Sequence, residues 1–207
     1  GSRVELQLRR PPAPIVLPRL ALIGASGSGK TTLIAALLTR LANALAIGVI
    51  KHGHHFELDK PGKDSDRFRS AGARAVVVAS PELRAMLTWP QRDSTLDELV
   101  ATLPLGLDLL LVEGFKHDHG LPAIEVHRGE RPPLCAGVGF DRVIALVTDA
   151  PALAPALVRT FAPADIDAIE ALVLEQLEAQ RVASTNPSAA GRTTQPAMHS
   201  PQATQRS

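Results

Sequence analysis

The chain has 207 residues, 45% hydrophobic and 21% charged, with a formal net charge of +1; this suits one globular domain with tails and excludes a charge-driven grip on nucleic acid or an anionic membrane. Five Phe, one Trp and no Tyr imply an aliphatic core and too few rings for nucleic-acid stacking. Cys135 is the single cysteine, so neither an intramolecular disulfide nor a Cys-rich metal site is available; no apolar run approaches the ~18 residues of a membrane span and no signal-peptide pattern is seen, so the expected compartment is the cytoplasm.

Residues 3–8 alternate polar and apolar, and Arg9 to Pro14 is Pro-rich; residues 1–18 read as an arm or linker. A single domain is expected over 19–182. Leu20 to Ile23 form an apolar run ending at Gly24, as a buried parallel strand would. Leu33, Ile34, Leu37, Leu38, Leu41 and Leu45 then recur at helical spacing, predicting a helix over 31–45. Ile47 to Ile50 is the second strand. After a polar loop, Asp64 is expected to cap a helix through Ser70, ended at Ala71 and Gly72. Strands follow at Ala75 to Ala79 and Arg84 to Trp89, and a helix starts at Thr95. Leu107 to Val112, Ala123 to Val126 and Val143 to Val147 are further strands, and Ala164 to Ala179 is a closing helix. Strands alternating with helices predict an α/β fold with a mostly parallel sheet flanked by helices, of the P-loop NTPase type. Residues 183–207 lack large apolar side chains to offset their ordering entropy and are expected to be disordered.

Gly24 to Thr31 matches G-x-x-x-x-G-K-[ST] in full, between an apolar strand and an amphipathic helix. Gly24, Gly27 and Gly29 permit backbone angles that let successive N–H groups point at phosphate oxygens. The helix N-terminus adds positive potential. Lys30 is expected at the β- and γ-phosphates, Thr31 on Mg²⁺ and Thr32 at the α-phosphate. Ser26 and Ser28 complete the expected nucleotide contacts.

The apolar run to Val112 ends in Glu113 and Gly114. A carboxylate at the end of a neighbouring strand holds or orients the Mg²⁺ shell of P-loop proteins, and Glu113 fits that place. Asp108 lies at the strand's start, away from the ligand edge. Five of the seven histidines fall in two short stretches after predicted strands: Lys51, His52, His54 and His55, then Lys116, His117 and His119. Three readings stay open for them: contacts to a second phosphorylated ligand, a metal site, or solvated loops. The segment from Asp59 to Ser65 could respond to a γ-phosphate as switch loops do, with Asp64 as its acid.

Three blocks in order, GASGSGKTTL, IKHGHHFELDKPGKDSDRFRSAGA and LDLLLVEGFKH, make the chain from about Leu20 to Pro151 resemble the molybdopterin-guanine dinucleotide biosynthesis protein B (MobB) family. The resemblance implies a protein that binds GTP with Mg²⁺ and hydrolyses it weakly. It implies an adapter for the MobA-type guanylyltransferase that joins GMP to molybdopterin, working as a homodimer, with molybdopterin itself a candidate partner. On this resemblance Lys30, Glu113 and Asp64 are the expected catalytic residues, and Thr31, Glu113 and Asp64 the Mg²⁺ ligands. His52, His54, His55 and Lys116 are expected ligand contacts. No N-K-x-D motif is present; Asp149, after the strand from Val143 to Val147, is the candidate guanine acceptor.

Two other functions compete. A small-molecule P-loop kinase would use the His and Lys loops for its acceptor. A metallochaperone GTPase would use the histidines, although the lack of a Cys pair counts against a soft-metal site. No Leu-Ser-Gly-Gly-Gln stretch supports a transport ATPase.

Overall fold

The computed structural model describes residues 16–53, 61–116 and 120–185. Strands β1 (Arg19–Ile23), β2 (Ile47–Lys51), β3 (Ala75–Ala79), β4 (Arg84–Thr88), β5 (Leu109–Glu113), β6 (Ala123–His127), β7 (Val143–Thr148) and β8 (Arg159–Phe161) occur with helices α1 (Lys30–Leu41), α2 (Asp64–Ser70), α3 (Leu96–Val100) and α4 (Ile166–Thr185). Six strands form one parallel sheet in the order β2-β5-β1-β6-β7-β8, and β3 and β4 form a separate antiparallel hairpin.

Alternation along the strands builds two cores. Leu20 and Leu22 of β1 join Leu109, Leu111, Ile124, Val126 and Val147 on the face covered by α1 and α4. Helix α1 contributes Leu33, Ile34, Leu37 and Leu41 at helical spacing, and α4 contributes Ile169, Leu172, Val173 and Leu177. Ala21 and Ile23 point the other way, against Ala123 and Val143. On that second face Ile50, Leu110 and Val112 are covered by α3 and by Leu17, Phe115 and Leu121. Because both faces are covered, the central strands are continuously apolar.

Strand order reverses at β1: the chain runs from β1 outward to β2, returns to β5, then crosses β1 to reach β6. Such a switch opens a crevice at the C-terminal ends of the strands, where ligands bind in open α/β sheets. The loop starting at Gly24 lies at that point.

Several boundaries differ from expectation. Helix α1 stops at Leu41, because the backbone tightens at Ala44, whose N–H donates to the Leu41 carbonyl, and the Asp108 carboxylate accepts the Ala46 N–H at 2.9 Å, turning the chain into β2. The same residue delays β5 to Leu109, since the Asp108 N–H donates to the Ala46 carbonyl at 2.7 Å. Asp64 is not the cap of α2. Lys63 occupies that position without a side-chain cap, Asp64 is the first helical residue, and Asp66 accepts the Gly62 N–H at 2.8 Å. The far end of α2 closes as expected: Gly72, at φ 106°, donates to the Arg69 carbonyl, and Ala73 donates to the Phe68 carbonyl. Thr95 does cap α3, in a reciprocal box with Glu98. Strand β8 was not expected; three residues including Arg159 and Thr160 carry too little apolar pattern to signal it. The final helix extends past Ala179 to Thr185. That helix takes in residues 183–185 of the tail expected to be disordered over 183–207; the rest of that tail, and most of the N-terminal arm, lie outside the described residues.

Candidate functional site

The loop from Gly24 to Gly29 takes its shape from three positive φ angles, 138° at Gly24, 74° at Gly27 and 103° at Gly29. Gly24 is required sterically as well: a Cβ there would lie 2.1 Å from the Val126 carbonyl oxygen of β6. Gly29 caps α1, and Lys30, Thr31 and Thr32 form its first turn. The Lys30 ammonium folds back across the loop, donating to the carbonyls of Gly24 at 3.1 Å and Ala25 at 2.6 Å. Partial burial lowers the pKa of that ammonium; Glu113 opposes the shift and the Lys51 charge adds to it.

Register explains how the rest of the site forms. Glu113, the last residue of β5, pairs with Leu22 of β1 on one side and Lys51 of β2 on the other. Its carboxylate is therefore delivered beside the loop and beside Lys51. The Thr31 hydroxyl donates to it at 3.0 and 3.1 Å, and the Lys51 ammonium donates to it at 3.0 Å. Lys51 also lies 3.3 Å from the Thr31 hydroxyl oxygen. Glu113 is only 8% exposed, so its charge acts with little screening. Thr31 and Glu113 present adjacent hard oxygen donors, the kind a Mg²⁺ ion takes together with phosphate oxygens and water. The donor set thus fits the metal that P-loop chemistry requires.

The remaining expected residues take different places. The His52 ring stacks obliquely on Phe115, with centroids 4.6 Å apart, and its Nε2 sits 3.0 Å from Asp93. These contacts set the ring beside Phe115 and the segment that leads into α3. Gly114 allows this approach, since a Cβ there would sit 3.2 Å from His52 Cβ. Lys116 is exposed; its backbone carbonyl, with those of Phe115 and Leu121, accepts from the Arg142 guanidinium, just before β7, at 2.9–3.2 Å. Asp64 is exposed, and among the described residues no contact joins it to Thr31 or Glu113. Ser26 and Thr32 are exposed on the loop and α1, and Ser28 is buried. Asp149 stands exposed one residue beyond β7, on the same edge of the sheet as the loop. His54, His55, His117 and His119 lie outside the described residues.

One contact was not anticipated. Arg128, just past β6, donates from Nε to the Ser28 carbonyl of the loop at 3.0 Å. Its neighbour His127 is buried and uses both ring nitrogens, at 2.8 Å from Thr148 Oγ1 and 2.7 Å from the Arg131 carbonyl. A carbonyl only accepts, so Nε2 donates to the Arg131 carbonyl, and the Thr148 hydroxyl, which can donate or accept, meets Nδ1. Nothing in the local sequence distinguishes Arg128; only strand adjacency reveals it.

A family model described as molybdopterin guanine dinucleotide synthesis protein B matches residues 19–149. The chain belongs to that family. It is 44% identical over 117 residues to the molybdopterin-guanine dinucleotide biosynthesis adapter protein of Haemophilus influenzae, covering 55% of this chain and 65% of that one. It is 41% identical over 145 residues to the Escherichia coli adapter protein, covering 66% of this chain and 81% of that one. The MobB structure of Bacillus subtilis aligns with TM-score 0.58 at 27% identity, over 77% of this chain and 98% of that one. A MobB homolog from Bacillus stearothermophilus has the same fold, with TM-score 0.61 at 22% identity over 79% of this chain and 99% of that one.

Proposed function

We propose that this MobB-family protein is an adapter that binds GTP with Mg²⁺ and assists the guanylyltransferase attaching GMP to molybdopterin. The observation that carries the reading is the junction of the phosphate loop with the acidic strand end through Thr31 and Glu113, in a chain matched to adapter proteins of that pathway. Lys30, Lys51 and the N-terminus of α1 supply positive potential for a triphosphate. Mg²⁺, held by Thr31 and Glu113, would neutralise charge on the phosphates. Asp149, exposed at the end of β7, is the proposed acceptor for the guanine N1–H and 2-amino groups. Hydrolysis is proposed to be slow, with Lys30 and Glu113 acting on the phosphates and Asp64 moving toward the γ-phosphate as a switch.

Homodimer formation is part of the proposal. The β3–β4 hairpin exposes Val77, Val78, Leu83 and Met86, apolar side chains that a second copy would cover. A cytoplasmic setting accords with the single free thiol. Calorimetry with GTP and ATP in Mg²⁺, with and without the purified guanylyltransferase, tests the reading. Preference for GTP and a complex between the two proteins are expected. ATP preference without a complex would instead favour a small-molecule kinase.

A further inference from the structure

We infer that Arg128 is a nucleotide-contacting residue, which clamps the phosphate loop with Nε and offers its terminal guanidinium N–H groups to the phosphate chain. The inference rests on the reading that Gly24 to Thr32 binds a nucleoside triphosphate. Its geometry is independent of that reading.

The side chain is held at its root. Val126 abuts Gly24 so closely that no Cβ fits between them, and His127 is pinned by Thr148 and by the Arg131 carbonyl. The end of β6 therefore has little freedom relative to the loop. From there Arg128 lays its guanidinium against Gly29. A Cβ on Gly29 would lie 3.4 Å from Nε, 3.5 Å from Nη2 and 3.9 Å from Cζ. Nε is spent on the Ser28 carbonyl. That bond orients the planar group and leaves four N–H donors on Nη1 and Nη2. Among the described residues no carboxylate pairs with Arg128.

Charge explains what those donors are for. Arg128 lies against Gly29, the residue that precedes Lys30 at the N-terminus of α1. Gathering cations at a positive helix end is unfavourable until an anion joins them. A guanidinium fork matches phosphate oxygens in pairs, whereas an ammonium meets them as a point charge. Polyphosphate is the ligand chemistry that satisfies Lys30, the helix end and Arg128 together.

Arg128→Gln separates the two roles, because the Gln side-chain nitrogen occupies the place of Arg Nε. It keeps a donor for the Ser28 carbonyl and removes the fork. Calorimetry of Mg·GDP and Mg·GTP should show both Arg128→Gln and Arg128→Ala weakened about 10- to 100-fold, about 1.4–2.8 kcal/mol. The melting temperature of Arg128→Gln without nucleotide should match the wild type, and the salt dependence of its binding should be shallower. Wild-type affinity in Arg128→Gln would reduce Arg128 to a loop clamp and overturn the inference, as would unchanged binding in Arg128→Ala. If the wild type itself binds neither nucleotide, the nucleotide reading fails before Arg128 is tested.

Discussion

Two glycines in one loop should respond very differently to alanine, and the difference measures how tightly β6 supports the loop. At Gly27 a Cβ meets nothing within 4 Å, and the only penalty is a φ of 74°. That costs about 1–2 kcal/mol. At Gly24 the φ is 138°, and the Cβ would also lie 2.1 Å from the Val126 carbonyl oxygen and 3.0 Å from Ser28 Oγ. Relaxed C···O contacts are about 3.3–3.6 Å, so atoms must separate by more than about 1 Å. Val126 is paired in register with Val147 and buried in the core, so its carbonyl cannot retreat without disturbing β6. Overpacking of this kind adds about 1–3 kcal/mol to about 1–3 kcal/mol of backbone strain. Gly24→Ala should therefore lower the melting temperature by roughly 4–24 °C, and Gly27→Ala by roughly 2–8 °C, at about 2–4 °C per kcal/mol for a domain of this size. Thermal melts followed by circular dichroism without nucleotide provide the comparison. Equal losses in the two variants would refute the claim that the loop is pressed onto β6.

Glu113→Gln should abolish most of the gain in GTP affinity that Mg²⁺ confers, by about tenfold or more, while binding in EDTA stays the same or tightens because a negative charge near the phosphates is gone; an undiminished Mg²⁺ effect would remove Glu113 from the metal's surroundings. Burial, and then the neighbouring Glu125 carboxylate, push the Cys135 thiol up from 9.0 to about 12. Iodoacetamide at pH 8 should accordingly label the folded protein far more slowly than the denatured chain. The folded state holds this proton more tightly, so its contribution to stability is full below pH 9 and is lost as pH rises toward 12; denaturant midpoints measured across that range should fall less in Cys135→Ser. Thr95→Ala removes the capping box of α3 and should cost about 1 kcal/mol in urea unfolding, and a null effect would mean that α3 is held by Leu96 and its neighbours alone.

The sequence by itself determined the elements whose signal is local. Leu20 to Ile23 announce a strand covered on both faces, the glycines from Gly24 to Gly29 announce a loop with left-handed turns, and Thr95 with Glu98 announces a helix start. Each depends on backbone angles or on side chains a few residues apart, so order along the chain suffices. Tertiary structure decided which side chains meet across the sheet. Thr31 reaches Glu113 across 82 residues and Arg128 reaches Ser28 across 100. Neither pairing follows from spacing, because it requires β1 to lie between β5 and β6 in a particular register. The same long-range geometry directs His52 to Phe115 and Asp93, and ties Lys116 to Arg142. A residue following a strand is thereby known to stand at an edge, but strand order and register choose its partner.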